Sequence, residues 1–262
     1  KVDYEWPQGN KTLGNPIQDL LSTLRIPPRL DPTGLFVDHQ SPDDIKHFCR
    51  FHEKTQNHAY THFVSLPLYH DAALVEEVKR LHGDASELVV LPKRCHQGHI
   101  THAFTNPTKL HLTVCMLTLL SKEDMATAKR IIEDFSLKLK PFKVTLKGLD
   151  VLKGTPEACR VLVANLHEQS LAIFDNLTSQ LLKNELSDTL PPTRWHCTIL
   201  NGKYYDRHYK TTNSAFDVRK VVRKSTAFGK PVEVLVGQVH LSCLNTNSGS
   251  QAYYTPAHIK TL

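Results

Sequence analysis

The sequence predicts an α+β protein in which two related halves carry antiparallel sheets with helices outside them. Three observations lead to this class. Strand and helix patterns alternate irregularly, which is not the regular succession of a doubly wound parallel fold. The strand patterns at 142–151 and 158–166 follow each other directly around Gly154-Thr155-Pro156, which indicates a hairpin. A short strand with His and Thr two positions apart occurs once in each half of the chain.

The organisation of the chain changes near Tyr60. Residues 1–59 predict an irregular arm with short helices, one opening at Asn15-Pro16 and one capped at Ser41-Pro42. Residues 60–262 predict a single domain. Before the hairpin we expect a strand at 61–68, a helix containing 73–81, a short strand at 88–91, a strand at 110–120 and a helix from 121 to about 139. After the hairpin we expect a helix over about 170–186, a strand at 194–201 and a polar loop. A helix near 215–225 and strands near 232–244 and 251–255 complete the predicted domain.

Composition sets the broad class. The 262 residues are 40% apolar and 22% charged, so the chain can bury a core without disulfides. No apolar run approaches the roughly 20 residues of a membrane-spanning helix. The six cysteines form no Cys-x-x-Cys pair, which predicts free thiols and a reducing compartment. The first residue is Lys1, so we expect the chain to be a piece of a longer protein.

The charge and the glycines limit how phosphates could be bound. A net charge of +6 permits a phosphate-bearing partner without demonstrating one. The eleven glycines contain neither a G-x-G-x-x-G loop, nor a G-x-x-x-x-G-K loop, nor the GXXG of RNA-binding KH domains. Any phosphate binding would therefore use side chains rather than a glycine cradle. Sixteen histidines favour acid–base or metal chemistry.

Five His-x-Ser/Thr patterns occur, and their context separates them. His39 runs into a predicted helix cap, and His99 lies in a loop pattern. Two patterns lie in apolar strands and read His-x-Thr, namely His111-Leu112-Thr113 and His196-Cys197-Thr198. His240-Leu241-Ser242 also lies in a predicted strand and is the competing assignment. For any of them, a hydrogen-bonded structural histidine is the alternative.

The paired strands suit an in-line displacement at phosphorus. Residues two apart in a strand project from the same face, so each strand presents an imidazole beside a hydroxyl. One neutral His would take a proton from the nucleophile, and one protonated His would give a proton to the leaving oxygen. The hydroxyls of Thr113 and Thr198 would donate to the phosphate oxygens. This chemistry needs no metal or other cofactor and predicts a bell-shaped pH profile.

Longer segments resemble the 2H phosphoesterase superfamily. They are Tyr60–Pro67, Phe104–Val114, Met116–Ser121 and His196–Asn201. The similarity is to the branch that holds the phosphoesterase domain of activating signal cointegrator 1 complex subunit 1 and the central domain of A-kinase anchoring protein 7. The segments 216–221 and 239–242 also resemble the cointegrator subunit, where the latter is not a motif strand.

The resemblance implies a two-lobed, LigT-like fold with one His-x-Thr motif from each lobe facing a central cleft. It implies action on 2′,3′-cyclic or linear phosphodiesters of RNA or nucleotides, with His111 and His196 as the acid–base pair and Thr113 and Thr198 as phosphate ligands. It also implies a subunit of a nuclear coactivator or alkylation-repair complex that includes a helicase, located in the nucleus, with the cytoplasm as a second location, and without membrane contact. A nucleotide- or RNA-binding scaffold without turnover stays open as the alternative.

Two weaker patterns are weighed beside these. Cys95, His96, His99 and His102 form a loop cluster, and His47, Cys49 and His52 form another, but their spacings match no standard zinc motif. The aromatic and basic residues of 204–210, followed by basic positions in 219–230, suit single-stranded nucleic acid or an ordinary charged surface.

Overall fold

A computed structural model describes residues 58–89, 99–167, 171–188, 194–244 and 254–262, together with positions 47, 50, 51 and 53–55 of an N-terminal helix. The strands are β1 (His62–Pro67), β2 (His111–Leu117), β3 (Phe142–Thr155), β4 (Ala158–Leu166), β5 (His196–Asn201), β6 (Val232–Val236), β7 (Gln238–Cys243) and β8 (Pro256–Thr261). The helices are α1 (Ala72–Leu88), α2 (Lys122–Ser136), α3 (Ile173–Lys183), α4 (Gly202–Tyr209) and α5 (Arg219–Lys224), with 3-10 turns at Ile100–Ala103 and Pro107–Lys109.

All the strand pairs are antiparallel, and the strands form one eight-stranded sheet. Its order is β6-β3-β4-β5-β2-β1-β7-β8. Each half of the sheet contributes four strands, and β5 and β2 meet at the centre. The chain begins in one half with β1 and β2, builds the other half with β3 to β6, and returns with β7 and β8. The predicted α+β class with antiparallel strands and outer helices is confirmed.

The helices cover the sheet with the apolar stripes that the sequence predicts. Leu74, Val78 and Leu81 of α1 are fully buried, as are Phe174 and Leu177 of α3. Ser121 caps α2, accepting a hydrogen bond from the amide of Asp124, whose carboxylate in turn accepts from the Ser121 amide. This capping box fixes where the chain turns from β2 into α2.

The predicted arm is described only at its end. Phe51 is buried, and Lys54 donates to the carboxylate of Asp124 over 2.6 Å. The helix that contains these residues therefore packs against the start of α2. The predicted helix at 15–25 lies outside the described residues, whereas the predicted helix after Ser41 is described at positions 47, 50, 51 and 53–55, which are helical.

Four local predictions differ from the structure. Leu88 ends α1 and Val89 follows as its cap, so the predicted strand does not begin at 88. The predicted polar loop after β5 is the helix α4. The predicted strand at 232–244 is two strands, because the chain leaves β6 at one edge of the sheet and enters β7 beside β1 after Gly237. The last described strand is Pro256–Thr261, whereas the predicted strand at 251–255 is described only at 254 and 255, which are not in a strand.

Candidate active site

The two His-x-Thr strands are neighbours at the centre of the sheet. β2 and β5 pair antiparallel with Leu112 opposite Cys197. In an antiparallel pair this register places His111 across from Thr198, and Thr113 across from His196. The four side chains therefore lie on one face, with each imidazole beside a hydroxyl of the other half.

Burial follows the alternation of the strands. Leu112, Val114 and Cys197 are fully buried on the opposite face, whereas His111, Thr113, His196 and Thr198 are partly exposed. The apolar residues anchor both strands in the core, and the polar residues are presented on the opposite face. The loop before β2 adds a second link, since the amide of Thr105 donates to the carbonyl of Ile199 over 2.8 Å.

Each motif histidine is held by the same hydrogen bond. Nδ1 of His111 lies 2.7 Å from the carbonyl oxygen of Lys109, and Nδ1 of His196 lies 2.9 Å from that of Arg194. A carbonyl oxygen only accepts, so each Nδ1 carries the hydrogen. The proton exchanged at each ring is therefore the one on Nε2. The two halves fix the same tautomer in the same way.

The environment lowers the pKa of both rings. Burial is the main cause at His111, where a positive charge on His196 lowers the pKa further and the Lys109 carbonyl opposes both effects. Burial also lowers the pKa of His196, the Arg194 carbonyl opposes it, and the Arg194 guanidinium lowers the pKa further. Both rings therefore favour the neutral form more than a free histidine does.

The surroundings of His111 are aromatic. Its ring centroid lies 5.3 Å from that of Phe63 and 5.7 Å from that of Tyr254, which stands at 89° to it. Tyr254 also contacts Phe63 edge to face, at 4.9 Å. The ammonium of Lys109 lies over the Tyr254 ring, 5.2 Å from its centroid.

The surroundings of His196 are ionic. Nη2 of Arg194 donates to Asp150 over 2.7 Å and to the side-chain oxygen of Asn165 over 2.6 Å, and Nε donates to the same oxygen over 3.1 Å. Asn165 is the β4 partner of His196. The guanidinium is thus fixed beside the imidazole by residues of β3 and β4.

The competing histidine has a different setting. His240 is 1% exposed, and its Nε2 lies 2.9 Å from Oε1 of Gln238. Burial, with a smaller contribution from His70, lowers its pKa to about 4. Ser242 of the same pattern is fully buried. The strand β7 is separated from β5 by β1 and β2, so this pattern is not part of the central pair.

The structure describes only part of the two Cys/His clusters that the sequence analysis noted. Cys95, His96, Cys49 and His52 lie outside the described residues. Of the part of the chain that the structure describes, no group of three or more His, Cys, Asp or Glu side chains is placed to hold a metal ion. His102 instead stacks on His208, with ring centroids 3.6 Å apart.

The basic and aromatic residues within 204–230 have different surroundings. Tyr205 is buried in the core against Phe216. Arg219 is held by the carboxylate of Asp217 over 2.6 Å. Burial raises the pKa of the Tyr204 hydroxyl, and the nearby Tyr254 raises it further.

The comparison with protein families gives one match that spans most of the chain. Residues 60–261 match the family model described as AKAP7 2'5' RNA ligase-like domain. The chain belongs to this family. It is thereby a member of the 2H phosphoesterase superfamily, as the sequence segments had indicated.

Solved structures similar to this 2H phosphoesterase share little sequence with it. E. coli LigT complexed with ATP is 16% identical with a TM-score of 0.49, covering 78% of this chain and 97% of LigT. The protein TT0787 of Thermus thermophilus is 16% identical with a TM-score of 0.46, covering 77% and 97%. The MHV ns2 PDE domain is 13% identical with a TM-score of 0.41, covering 71% and 100%. The LigT-like fold assignment rests on the family match and the strand arrangement above.

Sequence reasoning missed the flanking residues of this 2H phosphoesterase site. Lys109 and Arg194 precede the two motif histidines by two positions, so both motifs read basic-x-His-x-Thr. The three other His-x-Ser/Thr patterns have Val37, Gln97 and Gln238 there. That difference was available in the sequence. The approach of Tyr254 to His111 was not, because 142 intervening residues separate them.

Proposed function

We propose that this protein is a metal-independent phosphodiesterase acting on 2′,3′-cyclic or 3′-end phosphodiesters of RNA or nucleotides. The observation that carries the proposal is the central β2–β5 pair. It sets two Nδ1-anchored imidazoles and two threonine hydroxyls on one face of the sheet. The family supports a phosphoester substrate, and the flanking Lys109 and Arg194 suit an anionic one.

In the proposed reaction the two imidazole rings have different proton-transfer roles. One neutral imidazole accepts a proton from water through Nε2 as the water oxygen bonds to phosphorus. The bond from phosphorus to the leaving ribose oxygen breaks, and the other ring, protonated at Nε2, gives that oxygen its proton. The hydroxyls of Thr113 and Thr198 donate to the non-bridging oxygens, where negative charge is concentrated. The first ring then releases its proton to solvent and the second takes one up from solvent, which restores the starting protonation of the pair.

The coupling of the two rings favours the singly protonated state. A proton on either ring disfavours a proton on the other, so the pair holds one proton over a range of pH. Activity should fall at low pH, when both rings are charged, and at high pH, when both are neutral. We expect a bell-shaped pH profile of activity that lies at lower pH than two free histidines would give, because burial lowers the pKa values of both rings.

The test is an incubation in EDTA of wild type and the His111→Ala/His196→Ala double variant. The substrates are short RNAs ending in a 2′,3′-cyclic phosphate or a free 3′-hydroxyl. Product from the wild type alone supports the proposal. No product from either protein, with RNA-end binding weakened only in the variant, would replace it by the alternative of a nucleotide- or RNA-binding module.

The proposal extends to a cellular setting. Its support is the sequence resemblance to activating signal cointegrator 1 complex subunit 1, which suggests a nuclear subunit of a transcription-coactivator or alkylation-repair complex with a helicase partner. None of the described helices is long and apolar enough to cross a membrane. Affinity purification of the full-length protein from nuclear and cytoplasmic extracts, followed by mass spectrometry, tests this. Failure to recover the helicase from either extract would contradict the proposed assembly.

A further inference from the structure

We propose that the outer side of α4, together with the 3-10 turn Ile100–Ala103, binds the single-stranded RNA chain that leads to the reacting phosphodiester. The residues that would contact the chain are Lys203, Arg207 and the stacked pair of His102 and His208. The inference rests on the proposed function and deepens it, because it assigns the substrate as the end of an RNA chain rather than a free nucleotide.

The position of α4 is the first support. This helix follows β5 directly, and the side chain of Asn201 caps it by accepting from the Lys203 amide over 3.0 Å. Tyr204 in its first turn lies near Tyr254, whose ring centroid is 5.7 Å from that of His111. The helix therefore begins beside the proposed catalytic pair, on the face of the sheet that carries the two histidines.

The 3-10 turn is attached to the same two strands. Phe104 follows the turn and forms an antiparallel β-bridge with Leu200, and the Thr105 amide donates to the carbonyl of Ile199 over 2.8 Å. The chain then continues through Pro107–Lys109 into β2. Because the turn and the helix are joined to β2 and β5, the surface that they form has a fixed position relative to the two histidines.

The exposed side of α4 carries positive charge. Lys203 and Arg207 are four residues apart, so they lie on one stripe of the helix, and both are exposed. Neither forms an ion pair with a carboxylate in the part of the chain that the structure describes. Asp206, the acidic residue of this helix, is turned inward, where it accepts from the Ser214 amide and the Thr211 hydroxyl over 3.0 Å and 3.1 Å. The stripe is therefore available to phosphates.

The histidine pair lies towards the other end of the helix. The rings of His102 and His208 are parallel within 9°, with centroids 3.6 Å apart, and both residues are exposed. Tyr209 stands edge-on to both rings, and its hydroxyl accepts from the His99 amide over 2.9 Å. These contacts hold the turn against the helix, so the stacked rings present a positioned aromatic surface.

The pattern favours a polynucleotide over other anions. Tyr204 and His208 occupy the stripe next to that of Lys203 and Arg207, and a spacing of four residues corresponds to a rise of about 6 Å along the helix. Proteins bind single-stranded nucleic acid with cations on the phosphates and flat rings on the bases. An acidic peptide or a lone phosphate would use the cations and leave the rings uncovered.

The test titrates a fluorescent RNA of about 12 nucleotides, a length within the range of single-strand sites, and follows anisotropy from about 50 to 200 mM KCl. All proteins carry His111→Ala/His196→Ala, so the RNA stays intact and binding is measured without turnover. Lys203→Gln/Arg207→Gln should make the slope of log affinity against log salt shallower by about 1.4, because each phosphate contact on a single strand contributes about 0.7. Over this salt range the parent protein should lose about sevenfold more affinity than the variant.

A second variant tests the rings. At about pH 8, where free histidine is neutral, His208→Ala should lower the affinity about 5- to 150-fold at every salt concentration, the range for one stacked base. The salt slope should stay unchanged, because a neutral ring displaces no counterion. His208→Phe keeps a ring at this position and should keep the affinity. Equal losses in His208→Ala and His208→Phe would contradict stacking.

Controls separate this inference from the proposed function. Lys122→Gln/Lys183→Gln removes the same charge at exposed positions of α2 and α3 and should keep the parent slope, with circular dichroism as the fold check. An unchanged slope in Lys203→Gln/Arg207→Gln, an equal change in the control, or an RNA that does not bind overturns the inference. Turnover is measured separately in the EDTA incubation. The expected slopes without turnover would support the RNA surface and remove the enzyme.

Discussion

The β2 and β5 motifs share a backbone design and differ in what surrounds it. In both, the imidazole Nδ1 bonds to the carbonyl of a basic residue two positions earlier. His111 then faces the rings of Phe63 and Tyr254, while His196 stands beside an arginine held by Asp150 and Asn165. In the proposed mechanism the shared part positions a proton-transfer group. The differing part makes the surroundings of the two histidines chemically unlike, and the proposed substrate would bind in one direction for that reason.

The largest expected effect is the loss of either histidine. His111→Ala and His196→Ala should each lower kcat by about 10²- to 10⁴-fold, the range for a general acid or base. The double variant should be little worse than either single one, since the rings act as a unit. Steady-state kinetics on a cyclic-phosphate RNA, with circular dichroism as the fold control, checks this. Full activity in either single variant would contradict the proposal that both histidines take part in proton transfer.

Loss of the hydroxyl of Thr113 or Thr198 should have the second largest effect on activity. Thr113→Val and Thr198→Val keep side-chain shape and remove one donor each, and we expect about a 10²-fold loss in kcat from either. Thr118→Val is the matched control, because Thr118 is fully buried beyond the end of β2 and away from the central pair. A loss in only one of the two site variants would show that a single half binds the phosphate in the transition state.

A buried histidine in the His111 half predicts how stability depends on pH. Burial holds the pKa of His240 at about 4, against 6.5 for an ordinary histidine. Between those values the unfolded chain binds the proton and the folded chain does not, so lowering the pH from 6.5 to 4 should remove about 3 kcal/mol of stability. Stability from this group is complete above pH 6.5.

Urea unfolding of wild type and His240→Gln across that pH range measures this contribution. The variant should show a shallower fall, although its stability at neutral pH can be lower because the ring also packs. His99→Gln, at an exposed position, is the control and should follow the wild type. Parallel curves for wild type and His240→Gln would contradict the assignment.

The smallest expected effect comes from changing Arg194, the charged residue beside His196. Arg194→Met removes a positive charge beside His196 and leaves Asp150 uncompensated, and both changes raise the pKa of that imidazole. One limb of the bell in the kcat profile should move to higher pH by less than about one pH unit, since the arginine is partly exposed. Exchanging the exposed Lys153 for Met should leave the profile in place. A shift to lower pH would contradict the role of the arginine charge.

Much of the central site could be predicted from residue spacing. Alternation along a strand is a local property, so His111 with Thr113, and His196 with Thr198, had to share a face once those segments were strands. The apolar residues between them had to be buried for the same reason, and Leu112 and Cys197 are. The helix cap at Ser121 and the hairpin around residue 156 were equally local and were predicted correctly.

Predictions that depended on distant partners were less successful. The apolar pattern of 232–244 is continuous, yet its two parts pair with β3 and β1 on different halves of the sheet. The helix α4 has no long apolar stripe, and its place after β5 is stabilised by the packing of Tyr205 on Phe216. Outside a hairpin such as β3–β4, no local pattern shows which strand a segment will pair with.

By itself, the sequence predicted an α+β chain with two His-x-Thr strands and a resemblance to a phosphoesterase superfamily. Only the tertiary structure decided that β2 and β5 pair directly, that Tyr254 stands beside His111, and that His240 is buried away from the central pair. The physical reason is that side-chain alternation is set within a few residues of backbone. Strand pairing and side-chain environment depend instead on which distant segments bury their apolar surfaces together.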